Sequence, residues 1–182
     1  MTLSPGIRKA VLAIHLTTSV GWLGAVVAYL PLDISVAVSD DPVTVRSAWA
    51  AMWLIAAWVI VPLALAALLT GILIAAGTRW GLFRYWWVVV SLVLTIVAVL
   101  VLVQEVSVIG RAAATAMAST TSSAQVLALQ PTLPHSMGGL LVLLVIQWLN
   151  VFKPEGLTPY GWRRQLEEQE RLRARAAGTL PR

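Results

Sequence analysis

The chain reads as an all-α integral membrane protein, a four-helix up-and-down bundle with both termini cytoplasmic, and three observations predict this. Four long apolar runs interrupt the sequence. Charged side chains, only 12% of the 182 residues against 59% hydrophobic ones, gather between the runs and after the last. Lysine and arginine fall on alternate connections. A mean hydropathy of +0.83 is far above what soluble domains carry, since about 45–50% apolar and about 25% charged residues are usual there.

A helix needs about 20 apolar residues to cross roughly 30 Å of hydrocarbon, at about 1.5 Å per residue. Four segments meet this, over about 10–32, 48–76, 85–108 and 135–152. Together they make a transmembrane domain over 1–158, followed by a basic cytoplasmic tail over 159–182. Strands are excluded by unbroken runs such as Val88 to Val103, which lack the polar alternation of a barrel. The first run starts after Arg8 and Lys9, but its apolar stretch exceeds the roughly 7–15 residues of a signal h-region, so it is read as a retained span. Asp40, Asp41 and Pro42 supply a cap, a charge suited to the helix dipole and a first-turn proline, which starts the second helix near Pro42. A bend is expected at Pro62, and a break or bend near Pro31. Pro131 and Pro134 introduce the fourth helix. In the tail, a solvated helix is expected from Arg163 to Ala177, with Glu167 and Arg171 spaced i,i+4 and Glu170 and Arg173 i,i+3.

Orientation follows from basic residues beside the spans, which resist translocation. Arg8, Lys9, Arg79, Arg84, Lys153, Arg163, Arg164, Arg171, Arg173, Arg175 and Arg182 fall on one side, whereas Arg46 and Arg111 fall on the other with Asp33, Asp40, Asp41 and Glu105. That split puts both termini in the cytoplasm of a bacterial cell, the protein lying in the inner membrane. Trp80, Trp86 and Trp87 on one side, with Trp49 and Trp53 on the other, suit interfacial belts. The net charge of +5 points to anionic lipid headgroups, not to nucleic acid, because the basic residues flank apolar runs and form no stripe interleaved with aromatics. The partners are therefore the lipid bilayer and, in one reading, a second copy in a homo-oligomer. With no cysteine in the chain, disulfides and thiolate chemistry are excluded.

Polar residues within spans mark where helices face one another or a cavity. His15, Thr18, Ser19, Trp22, Tyr29 and Asp33 recur at steps of three, four and seven, so they share one inward face of the first helix. Gly21 and Ala25 allow close approach beside it. Depth sorts the polar residues into two layers. His15, Thr18, Thr70, Ser91 and Gln147 fall near the cytoplasmic end. Asp33, Arg46, Gln104, Glu105 and His135 fall near the other, where Asp33 or Glu105 is expected to pair with Arg46. His15 and His135 are the candidate cofactor residues, because an imidazole can carry a proton or ligate a metal near neutral pH. His15 is equally suited to bind Thr70, Ser91 or Gln147 as a link between helices. The two histidines differ in height by roughly 20 Å, so one haem iron could not take both within one protomer.

The stretch His15-Leu-Thr-Thr-Ser-Val-Gly-Trp22-Leu-Gly24 resembles the first span of the copper-resistance D-like superfamily and of HemJ-like membrane proteins. The stretches SVGWLGAVVAYL, LLTGILIAAGTRWGLFRYWW and VFKPEGLTPYGWRRQ resemble a group of uncharacterised four-span bacterial membrane proteins over nearly the whole chain. The first resemblance implies haem b, a role in oxidising protoporphyrinogen, and an essential first-span histidine, matched by His15. It also implies a third-span lysine, where this chain has Ser91. Met117 and Met137 are too few for the copper proteins' metal clusters.

Three functions are compatible with these residues. One is a structural or accessory membrane protein. The second is a haem- or porphyrin-associated redox protein using His15, and the third a small proton-linked or metal-handling transporter. Nucleotide loops, zinc spacings, nucleophile elbows and dinucleotide fingerprints are missing, so catalysis would need a bound cofactor.

Overall fold

The computed structural model describes residues 4–78 and 80–176; Arg79, Ala177 and Arg182, which entered the charge tally and the tail helix, lie outside the described residues. The helices are α1 (Pro5–Val38), α2 (Pro42–Ile55), a π turn (Ala56–Ile60), α3 (Val61–Gly77), α4 (Trp86–Met117), α5 (Ser123–Leu127), α6 (Leu133–Phe152) and α7 (Pro159–Ala176). Because α2, the π turn and α3 run on without interruption, four helices of 34, 36, 32 and 20 residues are long and apolar enough to cross a membrane. Among the described residues the only β-type pairing is one bridge between Tyr85 and Leu157.

The helix ends follow local chemistry. Asp41 accepts from the backbone N–H groups of Val43 and Thr44 and from the Thr44 hydroxyl at 2.6 Å, and these bonds hold its carboxyl below the usual range. Pro42 opens the helix behind this cap, as expected. At Pro62 the ring would strike the carbonyl four residues back and no N–H is available to meet it. The chain answers with a π turn, in which the Val61 N–H reaches the Ala56 carbonyl five residues back, so the accommodation is a widened turn within a continuous helix. Pro31 does not break α1, which continues to Val38. One missing donor is a small loss there, and the Ser35 hydroxyl binds the Pro31 carbonyl at 2.8 Å while Tyr29 and Asp33 lock the same turns into the interior.

All four helices run past the apolar lengths read from sequence, the last of them only at its start, Leu133. The short helix α5 was not expected, although Ser122 and Gln125 form a reciprocal capping box that starts it. Val126, fully buried, then pins α5 against α2.

The long helices close a ring: α1 packs on the second long helix and on α6, and α4 packs on the same two neighbours. Contacts at each end show that they alternate in direction. His15, early in α1, meets Ala67 and Thr70, late in the second long helix. Asp33, late in α1, meets Thr132 and Ser136 at the start of α6. Arg46, early in α2, meets the last turn of α4. The interior holds Trp22, Val26, Tyr29, Trp49, Met52, Ile60 and Ile109, and the outside is apolar too, with Leu69, Leu100 and Leu141 more than 60% exposed. A surface of this kind is poorly suited to water. Trp49, expected in an interfacial belt, is instead 1% exposed, because it packs within the core of the bundle.

The tail is fastened at the His15 end. The Trp86 N–H donates to the Gly156 carbonyl and the Thr158 N–H to the Arg84 carbonyl; the Thr158 hydroxyl donates to the Phe83 carbonyl at 2.5 Å. A Cβ on Gly161 would lie 2.2 Å from the Arg84 oxygen, so glycine is required for α7 to approach. Glu168 then pairs with Arg84 at 3.4 Å. Among the described residues, neither of the helical pairs expected in the tail closes to ion-pair distance, and Arg164 donates to the Tyr160 hydroxyl.

Candidate functional site

The polar stripe of α1 does face inward, and it serves two separate sites. At the amino-terminal end of the bundle lies a cavity of about 860 Å³ lined by His15, Ser19, Trp22, Gly71, Ser91, Thr95, Gln147 and Asn150, with Trp80 and Trp87 nearby and Arg8, Lys9 and Lys153 at its edge. Four of the five residues expected in this layer line one cavity or bond to one another. Thr18 does not line the cavity, and its hydroxyl turns back to the backbone carbonyls of Ile14 and His15 within its own helix.

His15 is held by its Nδ1, 3.1 Å from the Ala67 carbonyl and 3.1 Å from the Thr70 hydroxyl oxygen. A carbonyl only accepts, so Nδ1 carries the proton. Thr70 agrees with this assignment, because its own hydroxyl donates to the Ala66 carbonyl at 2.6 Å. In the neutral ring Nε2 therefore keeps its lone pair, the tautomer that metal-binding histidines adopt when a backbone carbonyl fixes the other nitrogen. Gly71 makes room: a Cβ there would sit 3.2 Å from His15 Cε1. The link between helices and the free nitrogen thus come from one side chain.

Ser91 is the second unusual group. It is 7% exposed, lines the cavity and its hydroxyl has no hydrogen-bond partner. A buried polar atom left this way costs roughly 1–3 kcal/mol. Aromatic faces and cations complete the lining. Trp80 meets Trp87 edge to face at 5.6 Å, and the Lys153 ammonium lies 5.4 Å from the Trp80 ring centre.

These residues fit a haem b group in three respects. His15 offers one imidazole nitrogen, the tryptophans offer flat apolar walls, and Arg8, Lys9 and Lys153 offer cations for two carboxylates. The volume lies within the roughly 300–1,000 Å³ of small-molecule and cofactor sites. The cavity provides no second strong ligand, with Ser91 in the position where the resemblance implies lysine. His135 does not share the site.

The opposite end differs from expectation. Asp33, fully buried, accepts from the Thr132 N–H at 2.8 Å, the Thr132 hydroxyl at 3.0 Å and the Ser136 hydroxyl at 2.7 Å, and the Tyr29 hydroxyl bonds to Thr132 at 2.9 Å. The expected pairing of Asp33 or Glu105 with Arg46 does not form. Arg46 donates to the carbonyls of Ala116 and, at 2.6 Å, Thr121. The reason is electrostatic and local: unpaired N–H groups at the start of α6 suit a carboxylate, and unpaired carbonyls at the end of α4 suit a guanidinium. Glu105 faces His135, Oε1 to Nε2 at 3.4 Å. Gln104 is exposed. Among the described residues no three His, Cys, Asp or Glu side chains gather as a metal site.

Comparison with protein-family models, curated proteins and solved structures gives no match for the chain. Its function therefore has to be argued from this geometry.

Proposed function

We propose that the chain is a multi-pass protein of the bacterial inner membrane, with both termini cytoplasmic, that acts as an accessory redox component by holding haem b in the His15 cavity. One observation carries the proposal: His15 lines a cavity of about 860 Å³ while its Nδ1 lies 3.1 Å from the Ala67 carbonyl, an arrangement that leaves Nε2 as the ligand nitrogen. The cavity lies at the end of the bundle that carries Arg8, Lys9, Arg84 and Lys153, the end that the distribution of basic residues assigns to the cytoplasm. Haem bound there would supply a one-electron couple. The chain's own contributions are separate from it. His15 would bind and orient the group, Thr70 would support the imidazole from behind, the tryptophans would exclude water, and Arg8, Lys9 and Lys153 would neutralise its carboxylates.

Absorption spectroscopy of the detergent-purified protein from haem-replete cells tests this reading. A Soret band is expected in the wild type, absent in His15→Ala and weakened about tenfold in haem affinity in Thr70→Val, the usual scale for losing support behind a ligating histidine. A colourless wild type that also fails to take up added haemin would overturn it.

A further inference from the structure

A second cavity, of about 340 Å³, lies between α1, α4 and α6. Along α4 its lining extends from Leu94 to Ile109, on the order of 22 Å at 1.5 Å per residue, so it is a groove with the length of a lipid tail. Val26, Val97, Val101, Leu102 and Val142 make its walls. On α6 the protein leaves room: a Cβ on Gly138 or Gly139 would meet nothing within 4 Å.

Its polar residues are confined to one end. Tyr29, Thr132 and Ser136 are there, but all three are engaged in the network around Asp33. Glu105 and His135 remain. Glu105 is a carboxylate only 13% exposed on an apolar wall, and the partner it has is His135, 3.4 Å away and 55% exposed. Together they offer carboxylate oxygens that accept and an imidazole that can donate. A phosphate headgroup would be repelled by the carboxylate. A neutral ring that presents a carbonyl to the imidazole and, when reduced, a hydroxyl to the carboxylate satisfies both.

We propose that this groove binds an isoprenoid quinone, its ring between Glu105 and His135 and its tail along α4. Trp22 and Leu143 line both this groove and the His15 cavity, so the two sites are neighbours. The groove's chemistry does not depend on haem in the other cavity.

The test uses the full chain in phosphatidylcholine nanodiscs with a photoreactive quinone analogue, mapped by mass spectrometry and competed by decylubiquinone. Labelling is expected on the segments around Glu105 and His135 and is expected to disappear on competition. Glu105→Gln and His135→Ala should each weaken competition about tenfold, the scale of one hydrogen bond to a charged or ionisable partner. Gly139→Leu fills open space, leaves folding intact and should abolish labelling of the groove. The inference is overturned if labelling is scattered, if decylubiquinone does not compete, if Gly139→Leu labels as well as the wild type, or if a phospholipid photoprobe occupies the same segments and quinone does not displace it. A colourless protein that still binds quinone would remove the haem proposal alone.

Discussion

Asp33 is a carboxylate in an apolar interior with no cation beside it, and it is kept there by donors from α6. Three hydrogen bonds converge on it, one from the backbone N–H at the cap position of that helix. Hydrogen bonds to a charged group contribute about 1.5–3 kcal/mol each, and deleting the acceptor strands the buried donors. Asp33→Ala should therefore destabilise the bundle by roughly 3 kcal/mol, seen as a fall in the midpoint of thermal unfolding followed by circular dichroism in detergent. An unchanged midpoint would show that the network contributes nothing. That Asp33 faces inward was legible from the steps of three, four and seven along α1. Its partners were not, because helical periodicity assigns a face but does not say which neighbouring helix terminus lies at that height. The same gap explains Arg46, for which a carboxylate partner was expected and carbonyls were found. His15 was partly legible, since Thr70 was one of three partners expected for it with Ser91 and Gln147; the carbonyl that fixes its tautomer was not.

Among the elements, α7 is positioned by its first turn. Gly161 touches the Arg84 carbonyl so closely that any side chain must push the helix away. Gly161→Ala is expected to release the tail: hydrogen exchange should speed up over 156–176 and the Arg84–Glu168 pair should be lost, while the four long helices keep their protection. If exchange in the tail is unaltered, the docking described here is wrong. The sequence showed a helix in the tail but not its attachment, since attachment depends on a glycine whose role appears only when two loops meet. The π turn before Pro62 belongs with it. Proline announced a disturbance, and the packing of Ala56, Ile60 and Ala64 in the core fixed its form as a widened turn. The spans ran longer than expected because apolarity measures what lipid will accept, whereas a helix continues until a breaker stops it. In α4 the alanines from Ala112 to Ala116 favour helix well past the apolar stretch.

At the scale of the molecule, four alternating helices line the His15 cavity in one half of the bundle and the α4 groove in the other, with Trp22 and Leu143 bordering both. The alternation brings the start of α1 and the tail helix α7 to the end with the His15 cavity, and the proposed orientation, drawn from the basic residues around that end, makes it the cytoplasmic one. Topology is thus the premise from which the other proposals are read. It is measured most directly by cysteine labelling, for which the chain supplies a clean background because it contains no cysteine. Single cysteines at Ser39 and Ser119 should react with a membrane-impermeant maleimide in spheroplasts, whereas cysteines at Thr158 and Arg173 should react only after the membrane is opened. Equal labelling of all four before permeabilisation, or the reverse pattern, would contradict the account.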